Sequence, residues 1–523
     1  MLSDTLRQYY ENSPWKDSVF CWYPFENGVA YEVVMDPEDF SVEALAAYKK
    51  KLGSHGRLLL VYENPFALRY WAGKRAANTG LPYDTLFGHG VNALPSKTEL
   101  QARLRVAGFE GQKWFYPLTD HYFTREVYSE NYLPDEFLNQ RFIPYIPNDI
   151  SLQFDERVLY REVIRGGAFE FMCGAYFVEA RVCTEDPPCI VDYAAITIYR
   201  EPAKRFVTTV RGDGTVHKVP LHPDGKASLL RILSNHEELA NLGVNVIKMK
   251  IKDDSLVMPR LNLPTLWDYW AKKLSDGTFD VDEMISQFDR IQEAIIKASK
   301  YGRCFWELVP ANCFYDKDKN DLIFFDQEYY WDNASPDVAL TRALWALIYS
   351  PAFEKDARTK TWLELLKARY GISEHFDLLS EQADIKTHDE VFGDMSLQLE
   401  YETKRAMENI SRKWEVESRR RYFRLLPAVD KLHEMGFKNP AIYGFGLRGK
   451  VLQRVLCDCG IDVKAIIDKT LQNNGNVEEI LSVSKSDVLI ISIFNGEEIK
   501  KDLSRKITIP VYTLGELIGE QTK

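Results

Sequence analysis

Residues Cys304 to Trp331, CFWELVPANCFYDKDKNDLIFFDQEYYW, set an acid, an amide and a second acid into one short strand-loop-strand unit. Glu307 stands five residues before Asn312, a polar turn runs from Asp316 to Asp321, and the apolar run Leu322 to Phe325 delivers Asp326 at its end. An amide oxygen and a carboxylate brought together this way suit a hard cation such as Mg2+. A carboxylate at the first position can take the proton of a hydroxyl group. The trio therefore suits a site that holds a metal ion beside a hydroxyl group. The plain alternative is a surface hairpin with solvated acids.

The layout resembles the catalytic hairpin of protein kinases, in which the Asp and Asn of HRDxxxxN and the Asp of DFG stand where this chain has Glu307, Asn312 and Asp326. Phe325-Asp326-Gln327-Glu328-Tyr329 is similar to the FDxEY-like ending of small-molecule and glycan kinases of the same fold. The resemblance implies ATP and Mg2+ as cofactors. Asn312 and Asp326 would ligate the metal, and Glu307 would orient or deprotonate a hydroxyl. The chain departs from the pattern at Glu307, where the longer side chain places the carboxylate differently from Asp.

The flanks read as a two-lobed body over residues 151 to 375. Apolar runs at Phe169 to Glu179, Cys189 to Tyr199 and Arg205 to Val210, the turn Arg211-Gly212-Asp213-Gly214 and the run Thr215 to Leu221 predict an antiparallel meander. Lys218 lies on its last strand, shortly before a helix that starts near Asp224, where the kinase resemblance implies a lysine contacting phosphates. Lys204 and Arg205 are rivals for that role. The helix KASLLRILSNHEEL carries its acids, Glu237 and Glu238, too late to make an obvious anchor for the lysine. Leu256 to Asn262, followed by Leu266-Trp267-Asp268-Tyr269-Trp270, resembles the hinge whose backbone would hold adenine and the first helix of a large lobe. Asp337 to Ile348 has apolar residues at helical spacing and predicts a core helix.

A length of 523 residues predicts roughly three to four domains. With 45% hydrophobic and 27% charged residues the composition is that of a globular protein, and no window approaches the ~18 apolar residues of a membrane span. A net charge of -11 argues against a general nucleic-acid binder. The dense basic run Arg419-Arg420-Arg421-Tyr422-Phe423-Arg424 is either a surface for anionic lipid or phosphate, or a solvated helix face paired with Glu415 and Glu417. Eight cysteines without a CxxC pair indicate neither a zinc site nor a disulfide framework. The N-terminus MLSDTLRQYYENSPWKD has no apolar signal core, so the expected location is the cytoplasm, with peripheral contact at the inner face of the membrane as an extension.

Residues 1 to 150 form a first unit. Ser41 to Lys51 predicts a helix, Arg57 to Tyr62 a buried strand, Ser96 to Glu99 a capping box ahead of a helix through Ala107, and Gly111 to Tyr116 another strand. The stretches Gly56 to Gly80, Ser96 to Phe109 and Trp114 to Pro134 resemble the C-terminal half of a class I S-adenosylmethionine-dependent methyltransferase, of the kind fused to kinases in bacterial surface-glycan synthesis. Before Arg57 the chain has Gly28, Gly53 and Gly56, and none forms a cofactor loop. The expectation is a truncated, inactive methyltransferase-like unit without bound S-adenosylmethionine. The alternative is a methyltransferase with an atypical cofactor site.

Residues 376 to 437 are charged and helical in pattern, notably Met395 to Lys413 and Glu415 to Leu426, and predict a connector that packs across domains or dimerises. Residues 438 to 523 form a small domain. Ala441 to Tyr443 is a strand, Gly444, Gly446 and Gly449 make GxGxxG, a helix runs to Cys459, and Val463 to Ile467 leads into Asp468. Strand, glycine loop, helix, strand and acid in this order form the dinucleotide fingerprint and predict a Rossmann-like fold. One such half is too small to grip a dinucleotide and a substrate together. It leaves a nucleotide or nucleotide-sugar, or a structural or partner-binding role.

The whole is expected to be a multidomain α/β and α+β protein: a truncated class I methyltransferase-like domain, a protein-kinase-like two-lobed domain, a helical connector and a small Rossmann-like domain. It resembles the fused methyltransferase-kinase proteins that modify the chain ends of bacterial O-antigen. That resemblance implies phosphoryl transfer to a sugar or glycan hydroxyl and partners among other glycan-synthesis enzymes. The alternative is a non-catalytic scaffold that binds nucleotide or glycan enzymes.

Overall fold

The computed structural model of the chain describes residues 18–74, 76, 83–87, 94–118, 121–122, 124–136, 157–197, 200–354, 356–387, 424–468, 476–493 and 496–519. Strands β1 (Tyr31–Met35), β2 (Arg57–Glu63), β3 (Gly111–Leu118), β4 (Glu126–Ser129), β5 (Ala175–Arg181), β6 (Val191–Ile196), β7 (Phe206–Arg211), β8 (Thr215–Pro220), β9 (Lys250–Lys252) and β10 (Ser255–Pro259) form one mixed sheet. Their order is β1-β2-β5-β3-β4-β6-β7-β8-β10-β9. β1 and β2 are parallel, and every later neighbour pair is antiparallel.

Side chains alternate across a strand, so one covered on both faces must be apolar at successive positions. β2 obeys this. Leu58, Leu60 and Tyr62 pack under helices α1 (Val42–Leu52) and α2 (Lys97–Val106), while Leu59 and Val61 meet Trp22, Phe115 and Phe177 on the other side. Ser41 caps α1, and Ser96 with Glu99 closes the expected capping box on α2.

The segment Phe169 to Glu179 differs from the expected meander. It opens as a short helix (Phe169–Met172) and continues into β5, which lies between β2 and β3. The expected meander is made by β6, β7 and β8 alone. An apolar run shows that a strand is buried without saying between which neighbours. The sheet consequently crosses residue 150 unbroken, through the pairing of β5 with β2 and β3 and of β4 with β6.

Helix α3 (Gly225–Asn241) packs Leu229 and Ile232 against Phe206 and Leu256 of the sheet. In the hairpin between β9 and β10, Asp253 and Asp254 both take left-handed backbone, as a two-residue turn of the primed type requires. After β10 the chain turns helical: α4 (Leu266–Ser275), capped by Thr265, α5 (Val281–Ala298), capped by Asp280, and α6 (Pro336–Tyr349), capped by Ser335. Their apolar faces share one core with Trp306, Phe324 and Tyr329. Between α5 and α6 lie two small ladders, β11 (Arg303–Cys304) with β14 (Trp331–Asp332) and β12 (Cys313–Asp316) with β13 (Asp321–Phe324).

The C-terminal residues form a parallel sheet of β15 (Pro440–Tyr443), β16 (Ala465–Ile467), β17 (Val488–Ile491) and β18 (Val511–Thr513), in the order β16-β15-β17-β18. The helical patterns at Met395 to Lys413 and Glu415 to Phe423, with the basic run up to Phe423, lie outside the described residues. Residues 424–434 are helical. Among the described residues no helix is long and apolar enough to cross a membrane.

Candidate functional site

The hairpin β12-β13 places its polar residues at its base. Cys313 pairs with Phe324, and the next amide, of Phe325, donates to the Asn312 carbonyl at 2.9 Å. Phe314 and Phe325 stack with ring centroids 4.5 Å apart. These contacts hold Asn312 beside the segment that turns at Asp326. Asp326 has φ of 54°, left-handed backbone that a non-glycine residue adopts at a cost of about 1 kcal/mol or more. The turn is completed by the Glu328 amide donating to the Asp326 carbonyl at 3.1 Å.

Lys218 reaches this turn from β8. Its ammonium lies 2.5 Å from Asp326 Oδ1 and also bonds Glu328 Oε1. Lys218 and Glu328 are buried, whereas the Asp326 side chain is 41% exposed. Arg200, from the segment between β6 and β7, donates to the other Glu328 oxygen at 2.8 Å. Burial alone would push the Glu328 carboxyl up, but Lys218 and Arg200 outweigh it and hold it below the usual carboxylate range. Burial would likewise lower the Lys218 ammonium, and the charges of Asp326 and Glu328 raise it instead. The lysine stays protonated.

Glu307 lies behind the turn. Its Oε2 accepts from the Glu328 amide at 2.8 Å, and Arg342 stands 4.0 Å away, anchored on the Trp306 carbonyl at 2.9 Å. Burial, with added repulsion from Glu328 and Asp326 and only partial relief from Arg342, lifts its carboxyl to about 8. The intervening Gln327 is fully buried, and its amide donates to the Glu307 and Phe325 carbonyls at 2.9 and 2.8 Å. Helix α3 supports the same turn: Asn235 donates to the Gln327 carbonyl at 2.9 Å, and the Gln327 amide lies 3.3 Å from His236 Nε2.

The structure thus brings Lys218, Asp326, Glu307 and the Asn312 backbone to one turn. Lys204 pairs instead with Glu201, and Arg205 donates to the Arg200 carbonyl. Glu238 of α3 goes to Arg303. The partner of Lys218 that sequence reasoning missed is Glu328, two residues past Asp326 inside the quoted FDQEY motif. Arg200, Asn235, His236 and Arg342 carried no sequence signal, because they reach the turn from elements distant in the sequence from the hairpin: the β6-β7 segment, α3 and α6.

The second group of expected residues sits in the C-terminal sheet. Gly444, with φ of 91°, follows β15, and Gly446 precedes helix α7 (Leu447–Asp458). A Cβ on Gly449 would collide with the Gly444 carbonyl, so the helix approaches the loop only as glycine. A Cβ on Gly446 would meet nothing within 4 Å. Asp468, after β16, accepts from the Phe445 amide of the loop. The strand order reverses beside β15, and the Gly loop lies at that switch point near Ser492.

The sequence matches no family model and no curated protein. Among solved structures, the granulovirus kinase PK-1 of Cydia pomonella granulovirus is similar with a TM-score of 0.22 and 14% identity, over 30% of this chain and 66% of that chain. A structure of WaaP in complex with acyl carrier protein is similar with a TM-score of 0.26 and 15% identity, over 36% of this chain and 87% of that chain. Scores this low do not establish a shared fold.

Proposed function

We propose that the chain is an ATP- and Mg2+-dependent phosphotransferase of kinase-like architecture acting on a sugar or glycan hydroxyl, with its site at the Asp326 turn. The observation that carries this reading is the pair Lys218-Asp326, in which a buried cation from one layer meets a half-exposed carboxylate held in left-handed backbone by another. The donor set fits the cofactors. Asp326, Glu328 and the Asn312 amide offer hard oxygen ligands for Mg2+, and Lys218 and Arg200 offer cations for phosphate oxygens. When bound, the metal would supply charge neutralisation at the transferring group. Lys218 would exchange one carboxylate for a phosphate oxygen. Asp326 is the more exposed of the two acids on Lys218 and so the one open to an incoming ligand.

Glu307 orients rather than abstracts on this reading. Its oxygen is committed to the Glu328 amide, and its raised pKa leaves it largely protonated near neutrality. The sugar or glycan acceptor rests on the FDQEY ending. We also read the C-terminal sheet as Rossmann-like, with a nucleotide or nucleotide-sugar at the open Gly446 position, and the first unit as a partial methyltransferase-like domain that does not turn over.

A second reading, a scaffold without turnover, is favoured by one feature: Lys218 and Arg200 are already neutralised by carboxylates. Thermal shift with ATP and ADP, each with and without Mg2+, separates the two when wild type is compared with Asp326→Asn, which retains a residue tolerant of left-handed backbone. A Mg2+-dependent stabilisation lost in the variant supports the phosphotransferase. No shift under any condition overturns it in favour of the scaffold.

A further inference from the structure

At the far edge of the first unit, three side chains from separate positions converge. His55 ends the turn before β2, and Cys183 and Asp186 lie in the loop that follows β5. One ligand atom from each lies within 4.8 Å of the others. The His55 Nδ1 stands 3.0 Å from Asp186 Oδ1. A hydrogen bond accounts for that contact but not for the thiol beside it.

The loop is held in place independently of these three groups. The Val182 amide donates to the Gly56 carbonyl at 3.2 Å, Arg57 donates to the Pro187 carbonyl at 3.2 Å, and Arg181 donates to the Asp186 carbonyl. Turn and loop are therefore fastened on both sides of the triad, and the ligands are presented by braced backbone. All eight cysteines are free, so the Cys183 thiol is not spent on a disulfide.

We propose that His55, Cys183 and Asp186 bind a zinc-class divalent cation. An imidazole, a thiolate and a carboxylate are a borderline-soft donor set, which selects Zn2+ over Mg2+ or Ca2+. Zinc bonds of about 2.0–2.3 Å put tetrahedral ligands about 3.3–3.7 Å apart, so small side-chain rotations close the site. Water takes the fourth position, and the Cys183 thiol releases its proton to solvent on binding. The bound ion would tie the β5-β6 loop to the β1-β2 connection. No CxxC announces the site, since two of its ligands sit in a CxxD spacing and the third comes from a distant turn.

The test uses the full chain carrying Cys457→Ser and Cys459→Ser, because those two thiols are exposed and would take up metal adventitiously. Calorimetric titration with Zn2+ is expected to show one ion per chain, undisturbed by excess Mg2+. Adding Cys183→Ser or His55→Gln should weaken binding by at least the ~10–100-fold that loss of a ligand's hydrogen-bond partner alone produces. Substitution with Co2+ should give a thiolate-to-cobalt charge-transfer band that Cys183→Ser abolishes. Absence of Zn2+ uptake, or uptake unchanged by Cys183→Ser, overturns the proposal.

Discussion

Lys218 is a cation shared by two carboxylates in a place where solvent helps little. Removing one member of a buried ion pair leaves the rest uncompensated, at a cost of about 3 kcal/mol or more. Lys218→Met should therefore lower the melting temperature well beyond a surface substitution, and Lys218→Met with Glu328→Leu should recover much of the loss. A double variant no more stable than the single one would show that the pair is not coupled. Glu307 gives a pH signature. Its carboxyl is raised from 4.5 to about 8, so the folded state holds a proton that the unfolded state has released, and stability falls as pH rises through that window. His236, lowered by burial from 6.5 to about 4, acts oppositely and raises stability with pH between those values. The Glu307 decline should thus stand clear between pH 6.5 and 8, and Glu307→Gln should flatten it in chemical denaturation. The spacing of Glu307, Asn312 and Asp326 was legible because one short stretch of sequence carries all three. Glu328 was in view but unassigned, since nothing in a linear motif says which acid a lysine from another strand will choose.

Elements were legible where their signals are local and less so where their neighbours decide. Capped helices such as α1, α2 and α4, and hairpins such as β7-β8, follow from Ser, Thr, Asp and Gly at fixed offsets. β5 could be seen as an apolar run but not placed, because its seven buried residues fit any position with cover on both faces. In the C-terminal sheet, spacing alone located the loop, and packing now gives Gly449 a reason. Gly449→Ala should destabilise that unit by about 1–3 kcal/mol through overpacking, whereas Gly446→Ala should be nearly silent in stability. Separate thermal transitions for the two variants would check this. If Gly446→Ala instead weakens binding of a nucleotide-sugar, the open position is where that ligand sits.

At the scale of the whole molecule, one sheet unites strands that the sequence divides at residue 150. A fragment beginning at residue 151 would keep β5 but strip away β2 and β3, leaving both edges of AYFVEAR unpaired and most of its apolar cover gone. Such a fragment should be insoluble when expressed alone, while co-expression with residues 1 to 150 should rescue it; a soluble, cooperatively melting fragment would contradict the topology. The same wedge has a bearing on how the chain is made. A nascent β2 has β1 at one edge and nothing at the other until β5 is synthesised, on the order of 100 residues later, a wait of about 5–20 s at ordinary elongation rates. During that interval the ribosome carries an unsealed apolar edge, and β3 cannot dock in its place because β5 belongs between them. Slower translation would lengthen the exposure, so the yield of this protein should depend on codon usage between β2 and β5 and on chaperones that shield nascent strands.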